Sequence, residues 1–285
     1  MRRIGINEAE SLYGTIFNIG GGKVEIYEAS EYPRIGGQGF VLRARWKNTA
    51  SELIAKLVQP AVCANLYQRF STLFQLKLES ADPVLFGCLP FAMHTIEASI
   101  RNGRMLLAKH ASHFGRDERL DVWLEDKPTW ARRAVALQIW AFVQHLEKRR
   151  VTHTDVKPEN FTVCTTADGV PKLVGLDFES IEGAAMPQPS IRSLGTRDYQ
   201  PPELIKKIID YVESDRYAAA ITTLETLGLT AWTEVLKGAD YAGALLPMSL
   251  SYLWPAGFVL MHRASGSRKK PAPAEWVRAL EDFNA

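Results

Sequence analysis

The strongest constraint on the fold is a stretch in which a long helix pattern leads into a charged loop and then a hairpin. Residues 129–150 read TWARRAVALQIWAFVQHLEKRR, and their apolar side chains recur at the steps of three and four that mark one helix face. These positions are Val135, Ile139, Phe142, Val143 and Leu146. Pro128 stands just before the pattern and the basic run KRR ends it, as at a helix start and a helix end. The sequence therefore predicts a long buried helix.

The ten residues that follow, VTHTDVKPEN (151–160), are dense in charged and amide side chains. Two strand-like runs come next, FTVCTT (161–166) and PKLVGLDF (171–178), and the turn between them carries Asp168-Gly169, a strong hairpin signal. A charged loop with both ends anchored in this way either caps the helix and returns the chain, or it holds a reaction.

The chain before about residue 110 is predicted to be rich in strands. KVEIYEA (23–29), FVLRARW (40–46) and ELIAKLV (52–58) show β-branched or aromatic alternation and are separated by glycine-rich breaks. MLLAKHA (105–111) is a further candidate strand, while residues 62–78 carry apolar side chains at helical spacing.

Helix patterns dominate again from Pro201 to the end of the sequence. A β-rich front part and a helical rear part predict an α+β fold with two lobes and a cleft. We expect one domain over residues 1–285, with an N-lobe of residues 1 to about 108 and a C-lobe from about residue 109.

The composition narrows the class of partner. Lys and Arg number 34 against 32 Asp and Glu, so the net charge of +2 gives no reason to expect a nucleic-acid partner. Cys63, Cys88 and Cys164 lie far apart and form no CxxC pair, which argues against a disulfide framework or a structural zinc site. No apolar run has the length and continuity of a membrane span. We expect a cytoplasmic protein.

The charged loop has the groups for phosphoryl transfer. Asp155 and Asn160 are five residues apart in one short turn, and Asp177 ends the second hairpin strand, which would return it to the loop. Carboxylate and amide oxygens near one point are ligands of the kind that Mg²⁺ prefers. Lys157 adds a positive charge that suits a phosphate.

At these residues the sequence resembles the protein kinase family. The segment from His153 to Asn160 matches the kinase catalytic loop, with Thr154 where arginine is commoner. Asp177-Phe178-Glu179 resembles the metal-binding Asp-Phe-Gly, with glutamate in place of glycine. Further resemblances extend the match to most of the chain, from about residue 23 to about residue 283: the activation-segment end Gly195–Glu203, the helix-start Asp215, and Arg268 with the helix after it.

The front part also resembles the ATP-binding lobe of kinases. The segment from Arg34 to Val41 is similar to the glycine-rich loop, and Leu53-Ile54-Ala55-Lys56 resembles the strand motif Val-Ala-Ile-Lys with its alanine displaced by one. The resemblance, and spacing for the hinge, imply a nucleotide site formed by Gly36, Gly37, Gly39, Val41, Lys56, Ala108 and His110.

The resemblance implies an ATP-dependent kinase that acts on serine or threonine hydroxyls of a protein substrate. Asp155 would orient the hydroxyl and accept its proton, and Lys157 would stabilise the charge on the moving phosphoryl group. Asn160 and Asp177 would hold Mg²⁺ or Mn²⁺, and Lys56 would grip the α- and β-phosphates. His153 is expected to be a packed scaffold residue and Asp215 to brace the loop backbone.

Departures from the family pattern keep other functions open. Thr154 leaves no guanidinium in the loop to meet a phosphorylated activation segment, so activation by that route is not expected. Residues 60–78 contain no acid to pair with Lys56, and Gln68, Gln75 or Glu79 are the nearest substitutes.

Three rival functions follow. A pseudokinase would bind nucleotide or a partner without efficient turnover. A small-molecule kinase usually lacks Lys157 and the activation-segment motif, which are present here. A scaffold that never binds ATP has no need of Lys56 and Asp177.

Overall fold

A computed structural model describes most of the chain, and its residues fall into two compact units. The described residues are 5–30, 32–36, 39–49, 51–58, 66–96, 103–178, 181–183, 195–201, 210–237, 251–266 and 269–283. Among them, the first unit takes residues 5–77 and 87–113, and the second takes 78–86, 114–183 and 195–283.

The first unit is built on a seven-stranded antiparallel sheet. Its strands are β1 (Ile16–Ile19), β2 (Gly22–Tyr27), β3 (Arg34–Gly36), β4 (Gly39–Trp46), β5 (Glu52–Val58), β6 (Pro90–Ile96) and β7 (Gly103–Lys109). They lie in the order β1-β2-β4-β5-β7-β6, and β3 pairs with the end of β4. Two described helices, α1 (Ile6–Glu10) and α2 (Leu66–Gln75), complete the unit.

One face of this sheet forms the core of the first unit because side chains alternate along each strand. Leu42 and Ala44 of β4 are buried together with Leu53, Ala55 and Leu57 of β5. The alternate residues of these strands therefore lie on the opposite face of the sheet. This alternation decides which side chains accompany Lys56.

The second unit is mainly helical. Its helices are α3 (Leu78–Ala81), α4 (Leu120–Trp123), α5 (Thr129–Lys148), α6 (Tyr211–Leu227), α7 (Thr230–Lys237), α8 (Pro255–Gly266) and α9 (Pro273–Glu281). Its short strands are β8 (Arg116–Arg119), β9 (Val151–Thr152), β10 (Phe161–Thr165), β11 (Pro171–Gly175) and β12 (Glu182–Gly183). They form two antiparallel sheets, β11-β10-β8 and β12-β9.

Helix α5 is the long helix that the sequence predicts, and its five predicted stripe positions are all buried. It packs against α6, α9 and β11. Trp140 of α5 stacks on Trp276 of α9 with ring centroids 5.0 Å apart. The predicted hairpin is also present as β10 and β11, with Gly169 at φ +78° in its turn.

The fold class agrees with the prediction: a mixed α+β protein with a β-rich N-terminal region and a helical C-terminal part. None of the helices that the structure describes combines the length and the apolar character needed to cross a membrane.

Candidate active site

A buried carboxylate holds the main chain of the loop after α5. Asp215 of α6 is 2% exposed, and its two oxygens accept hydrogen bonds from the backbone N–H groups of His153, at 2.5 Å, and Thr154, at 2.8 Å. Burial raises the pKa of Asp215 to about 7, although both N–H groups act in the opposite direction. Thr154 is held at φ +67°, a conformation that a β-branched residue rarely adopts. Asp215 thus braces the loop, as the sequence predicts.

His153 is a packed residue of the loop. Its side chain is 1% exposed and contacts the rings of Phe142 and Phe178. Burial lowers the pKa of His153, so the ring is neutral at pH 7 and Nε2–H donates to the Leu176 carbonyl at 2.8 Å. The structure therefore agrees with a scaffold role for this histidine.

The Asp155 carboxylate is the most strongly held group of the loop. Oδ1 accepts from the backbone N–H and the hydroxyl of Thr196, each at 2.8 Å. Oδ2 accepts from Asn160 Nδ2 at 2.9 Å and lies 3.1 Å from Lys157 Nζ. Burial opposes ionisation, but Lys157 and the hydrogen bonds outweigh it and lower the pKa of Asp155. The group is therefore a carboxylate at neutral pH.

Thr196 reaches Asp155 because a glycine precedes it. Gly195 has φ +73°, and a Cβ there would lie 2.2 Å from the Thr154 carbonyl oxygen. The Thr196 hydroxyl also accepts a hydrogen bond of 2.6 Å from Lys157 Nζ. Thr196, which the sequence marks only as part of a motif, thus links the Asp155 carboxylate to the Lys157 ammonium.

Asn160 and Asp177 have oxygens that suit a hard cation. The two hydrogens of Asn160 Nδ2 go to the main-chain and side-chain oxygens of Asp155, which leaves the amide oxygen with no hydrogen bond among the described residues. Asp177 comes directly after Leu176, whose N–H donates to the Asn160 carbonyl at 2.9 Å. The donor set fits Mg²⁺ or Mn²⁺.

Such a cation would need further ligands. Within the described ranges, no group of three His, Cys, Asp or Glu side chains is placed to hold a metal. Because Mg²⁺ usually keeps several waters and binds substrate phosphates, one carboxylate and one amide oxygen are enough protein ligands for it.

Lys56 of the first unit lies in the middle of the sheet. It is 9% exposed and pairs in register with Val41 of β4 and Leu106 of β7. Two residues before Lys56, on the same face of the sheet, lies Ile54, whereas Ala55 points into the core. Ala55, the displaced alanine of the sequence motif, therefore lies on the opposite face of the sheet from the Lys56 side chain.

The glycine-rich segment is described in part. Gly36 pairs with Gly39, and a Cβ on Gly39 would lie 1.8 Å from the Leu57 carbonyl oxygen, so only glycine allows β4 and β5 to meet there. Gly37 lies outside the described residues, as do Glu179, Glu203 and Arg268.

The two predicted hinge residues lie at the end of β7. Ala108 is half-buried and pairs with Ile54. The His110 ring accepts a short hydrogen bond from Arg43 and contacts the Ser112 hydroxyl at 2.8 Å. Arg43 also donates to Glu52 at 2.6 Å, so the His110 ring belongs to a polar cluster of the first unit that sequence reasoning does not identify.

The substitutes considered for an acidic partner of Lys56 are all exposed. Gln68 and Gln75 lie on α2, whose described residues include no acid, and Glu79 lies on α3 of the second unit.

Comparison with known families finds a match within the chain. A family model described as the protein kinase domain matches residues 106–240, a little under half of the chain. The matched range contains the loop 151–160, Asp177, Thr196 and Asp215, and it begins after Lys56. No curated protein matches the chain.

Proposed function

We propose that this chain, whose residues 106–240 match the protein kinase domain model, transfers the γ-phosphoryl group of ATP to a serine or threonine hydroxyl of a protein substrate. The observation that carries the proposal is the Asp155 carboxylate, held by Thr196, Asn160 and Lys157 within 3.1 Å. The spacing Asp155-x-Lys157 favours hydroxyl acceptors of serine and threonine over tyrosine, by resemblance to that branch of the family.

Asp155 acts as the proton acceptor. The substrate hydroxyl oxygen bonds to the γ-phosphorus while the bond from that phosphorus to the β–γ bridging oxygen breaks, and ADP leaves. The hydroxyl proton passes to Asp155, whose lowered pKa keeps it ionised before the reaction. Lys157 Nζ lies 3.1 Å from Asp155 Oδ2 and 2.6 Å from the Thr196 hydroxyl. Its charge would stabilise the phosphoryl group during transfer.

The remaining groups bind the nucleotide. Asn160 and Asp177 would hold Mg²⁺ or Mn²⁺, and the cation supplies neutralisation of phosphate charge when bound. Lys56 would hold the α- and β-phosphates, with backbone N–H groups of the segment from Gly36 to Gly39 around them. Val41, Ala108 and His110 remain proposed neighbours of the nucleoside.

Activity is proposed to need no phosphate on the activation segment. Thr154 is 7% exposed and offers a hydroxyl where a guanidinium would be required to bind a phosphate. The hydrogen bonds of Thr196 to Asp155 are complete without any modification. The base is therefore already oriented in the unmodified chain.

A pseudokinase is the second candidate, and one observation favours it. The described part of α2 provides no carboxylate for Lys56, so alignment of the phosphates depends on other groups. A chain of this kind would bind nucleotide and turn it over poorly.

One experiment separates the two. The purified protein is incubated with γ-labelled ATP and Mg²⁺ or Mn²⁺, beside Asp155→Ala, and its melting temperature is measured with and without nucleotide. A kinase transfers label only when Asp155 is present. Nucleotide-stabilised melting without transfer identifies a pseudokinase, and transfer that survives Asp155→Ala contradicts the proposed base.

A further inference from the structure

A second hydrogen-bonded cluster lies next to the turn of residues 196–200, which begins at Thr196. Tyr199 Oη donates to Glu225 Oε2 of α6 at 2.8 Å and accepts from Lys237 Nζ of α7 at 2.9 Å. Lys237 also forms a short ion pair with Glu225. Its ammonium lies 4.3 Å from the centroid of the Tyr199 ring. One lysine thus joins α7, α6 and the turn.

The cluster is largely removed from water. Tyr199 is 6% exposed, and the side chains of Lys237 and Glu225 are 26% and 19% exposed. Burial and the Glu225 charge raise the pKa of Tyr199, so the phenol stays protonated and donates to the carboxylate. Without Lys237, the Glu225 charge would lose its ion-pair partner in a poorly hydrated place.

A continuous path of hydrogen bonds connects this cluster to Asp155. The backbone N–H of Tyr199 donates to the Thr196 carbonyl at 3.0 Å. Thr196 in turn donates its N–H and its hydroxyl to Asp155 Oδ1. The orientation of the Asp155 carboxylate therefore depends on the position of Thr196. The position of Thr196 in turn depends on the contacts that hold Tyr199.

Helix α7 itself does not depend on the lysine. Trp232 and Leu236 of α7 are fully buried, and Trp232 packs against Phe258 of α8. Loss of the Lys237 ammonium should therefore leave α7 in place and release only the end of the turn at Tyr199.

We propose that Lys237 is a positioning residue for phosphoryl transfer, which acts through Tyr199 and Thr196 to hold the Asp155 carboxylate in its proton-accepting orientation. The expected change in kcat rests on the proposed kinase function, whereas the expected loosening of the turn does not. Lys237 is the last residue of α7, so its ammonium joins that helix both to Glu225 of α6 and to Tyr199.

The kinetic test compares Lys237→Met with Lys237→Arg. Lys237→Met should lower kcat about tenfold with little change in the KM for ATP, since small displacements of a catalytic group have effects of this size or larger. Lys237→Arg keeps the charge and the donors and should restore most of kcat.

Two controls separate positioning from general stability. Arg263→Met breaks a more exposed ion pair with Glu275, which joins α8 to α9 away from the turn, and should leave kcat unchanged. Tyr199→Phe removes only the hydroxyl, and if Lys237 acts through it, the double variant Lys237→Met/Tyr199→Phe should lose little more kcat than either single variant.

Hydrogen–deuterium exchange tests the same proposal without turnover. In Lys237→Met, peptides that cover residues 195–201 should exchange several-fold faster, while peptides from α9 should match the wild type. Unchanged exchange in 195–201, or a kcat loss that Lys237→Arg fails to restore, overturns the positioning role. A wild-type protein that transfers no phosphate contradicts the proposed function, and the exchange result then still decides the role of Lys237.

Discussion

Replacing Thr196 by valine tests the geometry around Asp155, the proposed proton acceptor. Valine keeps the shape of the side chain and the backbone N–H to Asp155, but it removes the hydroxyl that donates to Asp155 Oδ1 and accepts from Lys157. A hydrogen bond to a charged group contributes about 1.5–3 kcal/mol. If that interaction orients Asp155 in the transition state, kcat should fall by roughly 10- to 150-fold.

The pH profile gives the sign of the effect. The pKa of Asp155 is lowered in the folded protein because Lys157 and the hydrogen bonds outweigh burial. Transfer needs the ionised form, so activity is lost as pH falls through this pKa. Removing one donor raises the pKa, and the acid limb of kcat should move upward in Thr196→Val.

The assay is steady-state label transfer from γ-labelled ATP between pH 5 and 8, with Thr196→Ser as the matched control. Serine keeps the hydroxyl and should retain most of the wild-type kcat and its acid limb. Wild-type kcat in Thr196→Val, or an equal loss in the serine variant, would refute the reasoning.

Three further predictions concern stability and are measured by chemical denaturation. The Thr223 hydroxyl is fully buried without a hydrogen-bond partner among the described residues, so Thr223→Val should be neutral or stabilising. Thr222→Val should destabilise the fold by about 1 kcal/mol, because it loses the 2.8 Å hydrogen bond to the Ala218 carbonyl. Gly39→Ala should destabilise by at least about 1–3 kcal/mol because its Cβ meets a main-chain oxygen of β5, while Gly266→Ala meets nothing within 4 Å and should stay within about 0.5 kcal/mol. Asp215→Asn should destabilise by about 1–3 kcal/mol, because an amide nitrogen then faces one of the two N–H donors of the loop. Equal effects within either matched pair, or an unchanged Asp215→Asn, would contradict these assignments.

Elements set by local patterns could be predicted from the sequence. Helix α5 has its apolar stripe within one continuous segment, and the β10–β11 hairpin has a turn signal of two residues. Both follow from the neighbours in the chain. The brace by Asp215 joins residues 62 positions apart, and the sequence indicates it only through the resemblance to kinases.

Elements set by distant partners could not be predicted. Strand β8 reads Arg-Asp-Glu-Arg, which has no apolar alternation, and it exists because its main chain pairs with β10. In helix α2, Arg69 is buried, while Tyr67 and Phe74, two of the apolar residues at helical spacing in the segment 62–78, are 69% and 70% exposed. Helix periodicity fixes which residues share a face but not which face meets the sheet.

The same division applies to the candidate site. Asp155, Lys157 and Asn160 are recognisable because they lie within six residues of one another. That Ile54 shares a sheet face with Lys56 depends on strand alternation. The Lys237–Tyr199 contact joins residues 38 apart in the sequence. No local signal marks that contact.

The most direct test of the central claim is the rate of phosphoryl transfer from γ-labelled ATP by Asp155→Asn and by the wild type, at saturating Mg²⁺-ATP. Asparagine keeps the size of the side chain but cannot accept the substrate proton as a carboxylate does, so transfer should fall by about 10²- to 10⁴-fold while nucleotide still raises the melting temperature. Transfer at the wild-type rate in Asp155→Asn would contradict the assignment of Asp155 as the proton acceptor.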